Sequence, residues 1–267
     1  MPEGDSVLQL SRRLQFMTGR EVLQTSLRVP SVATVRFDGA VCQRVWPYGK
    51  HLFMQFNDAV LHTHLKMEGT WAMHLAGDRW RKPGHTARVV LQLEGNPYPR
   101  PIEVVGHSLG LVEVFPADRY VEKISYLGPD ILSPEWESEG RAQAIARILS
   151  RPERSIGQAL LDQKNVAGIG NEYRAEICFL AGVHPARPVA EVDVPAVVDL
   201  SRRLMWLNRD APLRVTTGVR RAGENVYVFG RNRRPCRRCG SRIEKDFLGG
   251  GEDLERVIWW CPRCQPD

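Results

Sequence analysis

Two Cys-X-X-Cys pairs near the C-terminus, Cys236-Arg237-Arg238-Cys239 and Cys261-Pro262-Arg263-Cys264, constrain this chain more than any other feature. Each pair brings two thiols to one tight turn. Two such turns, 21 residues apart, read as a tetrahedral four-cysteine site for one structural zinc ion. The expected form is a zinc ribbon of two β-hairpins, with Gly249-Gly250-Gly251 at a flexible tip and residues 254–260 as a strand. Two disulfides are the competing account. A cytosolic chain seldom keeps disulfides, and one tetrahedron of thiolates uses all four sulfurs, so zinc is the reading adopted. Cys42 and Cys178 lie in apolar surroundings and read as buried, unreactive thiols.

Composition matters mainly through where the charge falls. With 267 residues, 43% of them hydrophobic, the chain has the length for two domains and a smaller third module. Its net charge is +6, but residues 200–267 hold 15 Lys and Arg against 8 Asp and Glu, while the preceding residues hold 22 against 23. The basic charge therefore belongs to the C-terminal quarter. That asymmetry fits a polyanion partner such as nucleic acid, and equally a basic surface that only keeps the protein in solution. No apolar run nears the ~20 residues of a membrane span. The N-terminus lacks the basic and apolar blocks of a signal peptide, so the expected location is cytoplasmic, with no membrane partner.

Taken in order, Val7, Leu10 and Leu14 recur at helical spacing and Gly19 offers a stop, which predicts a helix over 4–18. Short β-like runs follow at 21–29, 41–46, 50–56, 59–65, 70–75, 87–94, 102–106 and 110–115, and they predict a sandwich or barrel. Tyr48-Gly49-Lys50 is a tight turn that places Lys50 at a strand start, where its amine either points into a groove or is one more surface lysine. His62 and His64 share one face of a strand; without a third ligand they are expected to be half-buried histidines rather than a metal site. Met67 stands at the tip of the 65–69 loop, an unusual place for a side chain that is buried by default. Pro and Gly residues through 116–135 mark a linker.

Helices are expected over 137–149, from Ser155 to Lys164, from Glu172 to Leu180 with a stop at Gly182, and over 195–208. Between the middle two, Asn165-Val166-Ala167-Gly168-Ile169-Gly170-Asn171 is a glycine-bearing turn. Gly168 and Gly170 permit φ > 0 or a close approach, and Asn171 opens a helix whose exposed N–H groups suit a phosphate. A capped helix hairpin with no ligand explains the same residues.

The other end of the chain reads Met1-Pro2-Glu3-Gly4-Asp5. If Met1 is removed, Pro2 carries a free secondary amine with a pKa near ~8, partly unprotonated at neutral pH. Such an amine attacks an aldehyde carbon and forms a cationic iminium, an electron sink, with Glu3 beside it as acid/base. The plain alternative is that Pro2 and Glu3 merely start a helix.

Together these pieces, in this order and spacing, resemble the formamidopyrimidine-DNA glycosylase and endonuclease VIII family of base-excision repair enzymes over the whole chain. Met1-Pro2-Glu3-Gly4 is similar to its N-terminal catalytic motif. Residues 160–176 resemble its helix-two-turn-helix, and Tyr227 to Arg231 with the four cysteines resemble its zinc finger. The resemblance implies an α+β fold: an N-terminal β-sandwich with a leading helix, a helix-two-turn-helix domain and a zinc-ribbon finger. The divisions are expected at 1–125, a linker over 126–140, then 141–225 and 226–267.

It further implies that Pro2 is the Schiff-base nucleophile, Glu3 the general acid/base and Lys50 an assisting strand lysine. Asn171 and Arg256 would bind phosphate, with Lys164 a further DNA-binding residue, and Met67 would fill the gap left by an extruded base. Attack of Pro2 at C1′ would release the base, and the iminium would drive elimination of the 3′ phosphate. The implied partner is damaged DNA, duplex or single-stranded, met by a monomer in the cytoplasm, at the nucleoid in a prokaryote.

One departure matters: Gly106-His107-Ser108-Leu109-Gly110 stands where the oxidised-purine branch carries an Arg-Phe pair, and 212–225 is shorter than that branch's covering loop. Both point toward the endonuclease VIII branch and oxidised pyrimidines. The alternatives are an 8-oxoguanine or formamidopyrimidine glycosylase, and a non-catalytic zinc-containing DNA-binding protein, which retention of Met1 would favour.

Overall fold

Alternating apolar residues build most of the first half of the molecule. The computed structural model describes residues 2–250 and 253–266; Met1 and Gly251, on which two expectations fall, lie outside the described residues. The chain divides into two compact units, one of Pro2 with Ser6–Ser125 and one of Glu3–Asp5 with Tyr126 onward.

In the first unit, α1 (Gly4–Arg13) leads to β1 (Val22–Leu27), β2 (Cys42–Tyr48), β3 (His51–Phe56) and β4 (Ala59–His64). Then come β5 (Thr70–Leu75), β6 (Ala87–Leu93), β7 (Ile102–His107), β8 (Leu111–Pro116) and the short α2 (Tyr120–Ile124). The strands form two four-stranded antiparallel sheets, β1-β6-β7-β5 and β2-β3-β4-β8. Val22, Leu27, Leu91 and Val104 of one sheet and Val45, Leu52, Met54 and Leu61 of the other share a core with Val7 and Leu10 of α1. Burying each such side chain contributes roughly 1.5–3 kcal/mol. β3 is buried on both faces because Phe53, with Val60 and Phe115, is covered by Tyr120 and Ile124 of α2. That small helix lies inside the stretch read as an aperiodic linker; five residues are too few for a periodicity to show.

Register places His51 opposite His64, His64 opposite Leu111, and Thr70 opposite His107. The β2–β3 turn, the 65–69 loop and the β7–β8 turn therefore emerge at one end of the sandwich. The helix expected over 4–18 is α1 up to Arg13, followed by a separate 3₁₀ turn over Gln15–Met17 before Gly19 at φ 83°.

The second unit holds α3 (Gly140–Leu149), α4 (Ile156–Leu161), α5 (Asn171–Ala181) and α6 (Val194–Asn208), then the hairpin of β9 (Glu244–Gly250) and β10 (Asp253–Trp260). Ser155 caps α4, Asp193 caps α6, and Gly182 ends α5 in the left-handed conformation. Residues 126–139 are packed into this unit: Leu127, Ile131, Leu132 and Trp136 are buried, and Asp130 bridges to Ala167.

Of the two hairpins expected in the ribbon, one is regular and the other is reduced to a single antiparallel bridge. Among the described residues β9–β10 is the one regular hairpin of the finger. Cys236 and Cys239 sit instead on a tight knuckle closed by Cys236 N–H to Ser241 O at 2.7 Å and Gly240 N–H to Cys236 O at 2.9 Å. An isolated bridge, Pro235 to Arg242, stands in place of a ladder, because Pro235 has no N–H to extend one. No helix among the described residues is long and apolar enough to cross a membrane.

Candidate active site

Glu3 is completely buried, and its carboxylate is held by backbone donors of the glycine turn. Gly170 N–H donates to Oε2 at 2.5 Å and Glu172 N–H to Oε1 at 2.9 Å, while Gly4 N–H donates to Gly168 O at 2.9 Å. The two glycines do different work. Gly168 has φ 115°, which disfavours any side chain; Gly170 is extended, but a Cβ there would stand 2.6 Å from Glu3 Cγ. The turn is thus shaped around Glu3, at the start of α5 where unpaired N–H groups favour a carboxylate. Pro2, half-buried, is joined directly to Glu3.

Sequence reasoning missed what lies beside it. Asp5 accepts from Tyr173 OH at 2.9 Å and from Arg214 Nε and Nη2 at 3.0 and 2.6 Å. Arg214 Nη1 also donates to Glu172 Oε2 at 2.6 Å and lies 3.8 Å from Glu3 Oε1. Burial by itself would lower the arginine's pKa, but Glu3, Asp5 and Glu172 raise it further above its ordinary value, so it is always charged. Burial raises the Glu172 pKa against the opposing pull of Arg214. Arg214 lay in a segment read only for its length.

α5 carries two more buried charges. Glu176 accepts from Val228 and Phe229 N–H with Oε1, and from Tyr227 N–H and Thr216 Oγ1 with Oε2, stitching the entry of the finger to the helix. Arg174, 1% exposed, donates from Nη2 to Asn171 Oδ1 and Val257 O, while its Nε and Nη1 have no hydrogen-bond partner among the described residues. Burial lowers its pKa to about 10, leaving it cationic at neutral pH. Asn171 begins α5 but does not cap it; its Nδ2 donates to Val257 O at 3.0 Å. Arg174 lines a groove of about 460 Å3 together with Lys164, Arg256, Arg151 and Arg154. Of the expected DNA-binding residues, Lys164 and Arg256 line this groove with Arg174, and Asn171 accepts a hydrogen bond from the buried arginine.

In the first unit Gly49-Lys50 form the two-residue turn between β2 and β3, with Gly49 at φ 55° and Lys50 half-buried. Met67, 67% exposed, stands on the 65–69 loop at the same end of the sandwich. In the β7–β8 turn His107 and Leu109 are buried and Ser108 has φ 48°. Beneath these loops His62 Nδ1 faces Glu113 Oε2 at 3.2 Å and its Nε2 faces His51 Nδ1 at 2.8 Å. The carboxylate accepts, so His62 carries its proton on Nδ1, and its Nε2 accepts a hydrogen bond from His51 Nδ1–H. Burial, then neighbouring positive charge, lowers His51 to about 3, His62 to about 4 and His64 to about 3. At neutral pH all three are uncharged, with His62 buried and His64 half-buried.

The four finger cysteines converge. Their Sγ atoms lie within 4.8 Å of one another, with Cys239–Cys261 at 3.4 Å and Cys236–Cys264 at 4.0 Å, and none is in a disulfide. A tetrahedron with metal–sulfur bonds of about 2.3 Å needs sulfurs about 3.8 Å apart, so the donor set fits one metal ion.

The family model described as the formamidopyrimidine-DNA glycosylase N-terminal domain matches residues 1–100, and that of the same family's H2TH domain matches 127–209. The chain is 40% identical to Endonuclease 8 2 of Mycobacterium tuberculosis over 99% of this chain and 100% of that one. It is 40% identical to the DNA-(apurinic or apyrimidinic site) lyase Nei2 of Mycolicibacterium smegmatis, over 99% of each, and 33% to a Synechococcus formamidopyrimidine-DNA glycosylase, over 100% and 99%. In fold it is similar to the Lactococcus lactis formamidopyrimidine-DNA glycosylase solved with DNA containing an abasic site, at TM-score 0.80 and 20% identity over 99% and 100% of the two chains. A Glu3 carboxylate seated in a glycine turn, a four-cysteine cluster in the finger and these matches lead to one conclusion: the chain belongs to the formamidopyrimidine-DNA glycosylase family, enzymes of the DNA glycosylase and abasic-site lyase class.

Proposed function

We propose that this protein excises oxidised pyrimidines from DNA and then cleaves the strand, through a Schiff base on Pro2. The observation that carries the reading is the seat of Glu3: a buried carboxylate, fixed by the N–H groups of Gly170 and Glu172, next in sequence to a secondary amine. The Pro2 nitrogen attacks C1′ of the damaged nucleotide, and the base departs with the electrons of the glycosidic bond. Glu3 moves the protons that ring opening of the sugar requires. The resulting iminium withdraws electrons from C1′, so the C2′ proton becomes acidic and the 3′ phosphate, then the 5′ phosphate, can be eliminated. Lys50 assists from its turn.

Arg174, Arg256, Lys164 and the N-terminus of α5 at Asn171 take the DNA backbone, since a phosphate would satisfy the unpartnered Nε and Nη1 of Arg174. Met67 enters the stack where the base has left. We assign the chemistry to residues 1–125, backbone recognition to the helical domain, and to the finger the placing of Arg256. Cys236, Cys239, Cys261 and Cys264 would hold one zinc ion, which supplies folding free energy and no chemical step.

The β7–β8 turn supports the substrate branch. With His107 and Leu109 buried and a glycine at each end, it offers no large polar side chain to the base opposite the lesion. Each missing hydrogen-bonding partner removes ~1–3 kcal/mol of discrimination, so several opposite bases are tolerated. Single-turnover rates on duplexes with thymine glycol, 5-hydroxyuracil or 8-oxoguanine opposite cytosine test this: the pyrimidine lesions should be released faster, with strand cleavage following. A clear preference for 8-oxoguanine would place the protein in the other branch. Cys239→Ser, or chelation, should release zinc and abolish DNA binding by the finger; normal binding and cutting by that variant would remove zinc from the account.

A further inference from the structure

The roles above leave Arg214 unused, although its guanidinium contacts three carboxylates and an aromatic ring. One planar guanidinium holds both oxygens of Asp5 and one oxygen of Glu172, and it lies 4.4 Å over the ring of Tyr173, whose hydroxyl also binds Asp5. Its two anchors bracket the acid. Asp5 follows Glu3 by two residues, and Glu172 supplies one of the two N–H groups that seat the Glu3 carboxylate. The arginine is itself fixed. Its carbonyl accepts from Asn225 Nδ2 at 2.8 Å, and the next residue, Val215, exchanges two hydrogen bonds with the side chain of Asn208 at the end of α6.

Stability alone is a poor explanation for this arrangement. Buried ion pairs often contribute no more than apolar residues of the same volume, and here one cation meets three carboxylates. What Asp5 and Glu172 have in common is their place on either side of Glu3. We propose that Arg214 is the positioning residue of the catalytic segment, clamping Asp5 and Glu172 so that Glu3 and the preceding Pro2 are held for attack. The inference rests on the reading of Pro2 and Glu3 as the reacting groups. A fork of fixed geometry is required, because the bond directions to Asp5 and Glu172 diverge; a lysine ammonium carries the same charge as a point and cannot hold both.

The test uses the full-length protein with abasic-site and 5-hydroxyuracil duplexes, comparing wild type, Arg214→Lys and Asp5→Asn. The readings are thermal melting, Kd for undamaged duplex, single-turnover base release and the rate of borohydride trapping. If wild type itself fails to trap, the Schiff-base reading falls before Arg214 is at issue. With wild type active, Arg214→Lys should melt close to wild type and bind undamaged DNA normally, yet release base and trap about 100-fold more slowly. Asp5→Asn, which keeps one oxygen for Tyr173, should lose about 10-fold by the same loss of placement. Wild-type rates in either folded variant, or a parallel loss of binding and chemistry, would overturn the proposal. Failure of both variants to fold would also overturn it, by making Arg214 a residue of stability.

Discussion

The two units bury polar groups in opposite ways. In the sandwich, His51, His62 and His64 are kept neutral by burial, with Glu113 at the rim fixing which nitrogens of His62 and His51 carry the proton. In the second unit, Glu3, Asp5 and Glu172 are kept close to a fully charged Arg214. A neutral cluster needs orientation and little else. A charged one needs every partner present, since a carboxylate left alone in the interior costs several kcal/mol. The charged arrangement surrounds the proposed acid Glu3, and the neutral one underlies the loops that carry Lys50 and Met67.

The contrast is broken most sharply by removing the cation. Arg214→Met should destabilise the second unit by about 3–5 kcal/mol, because Asp5 and Glu172 lose their counter-charge. The variant should regain stability as pH falls, since buried unpaired carboxylates have raised pKa values and protonation relieves them. Urea unfolding from pH 8 to 5 would show this, and a loss independent of pH would contradict the charged-cluster account.

The sandwich should respond in the reverse sense. Its histidines have folded pKa values of about 3 to about 4 against 6.5 unfolded, so the unfolded chain binds more protons across that window. Stability is complete above pH 6.5 and should fall between there and pH 4 by on the order of 2–3 kcal/mol for each histidine that must take up a proton. His62→Phe, which keeps the stacking on Phe53, should flatten that slope; an unchanged slope would mean that other groups carry it.

The smallest effect on folding belongs to the surface. Arg256→Ala should change stability by less than about 0.5 kcal/mol, yet weaken binding to damaged and undamaged DNA alike and lower the salt dependence by about one phosphate contact. A loss confined to one lesion would assign Arg256 to base recognition instead.

Much of this was legible in the sequence, for reasons that differ by residue. The eight strands of the sandwich and the later helices announce themselves through periodicity, and the cysteines through spacing, because both are local. Gly168 and Gly170 could be read as turn glycines, but only the fold separates the left-handed Gly168 from Gly170, whose missing side chain makes room for Glu3. Arg214 meets Asp5 across 209 residues, and Glu176 meets Thr216 across 40, so no local pattern exposes either pair. Asn171 opens α5 as its place in the sequence indicates, but its amide turns to Val257 of the finger strand, a contact no spacing encodes.

The central claim is that the Pro2 amine does the chemistry. Incubating the protein with abasic-site duplex and borohydride, with intact mass read before and after, tests it most directly. A chain lacking Met1 should form a covalent complex that maps to Pro2, and a form deliberately retaining Met1 should not. Undiminished trapping by the Met1-retaining form would contradict the account.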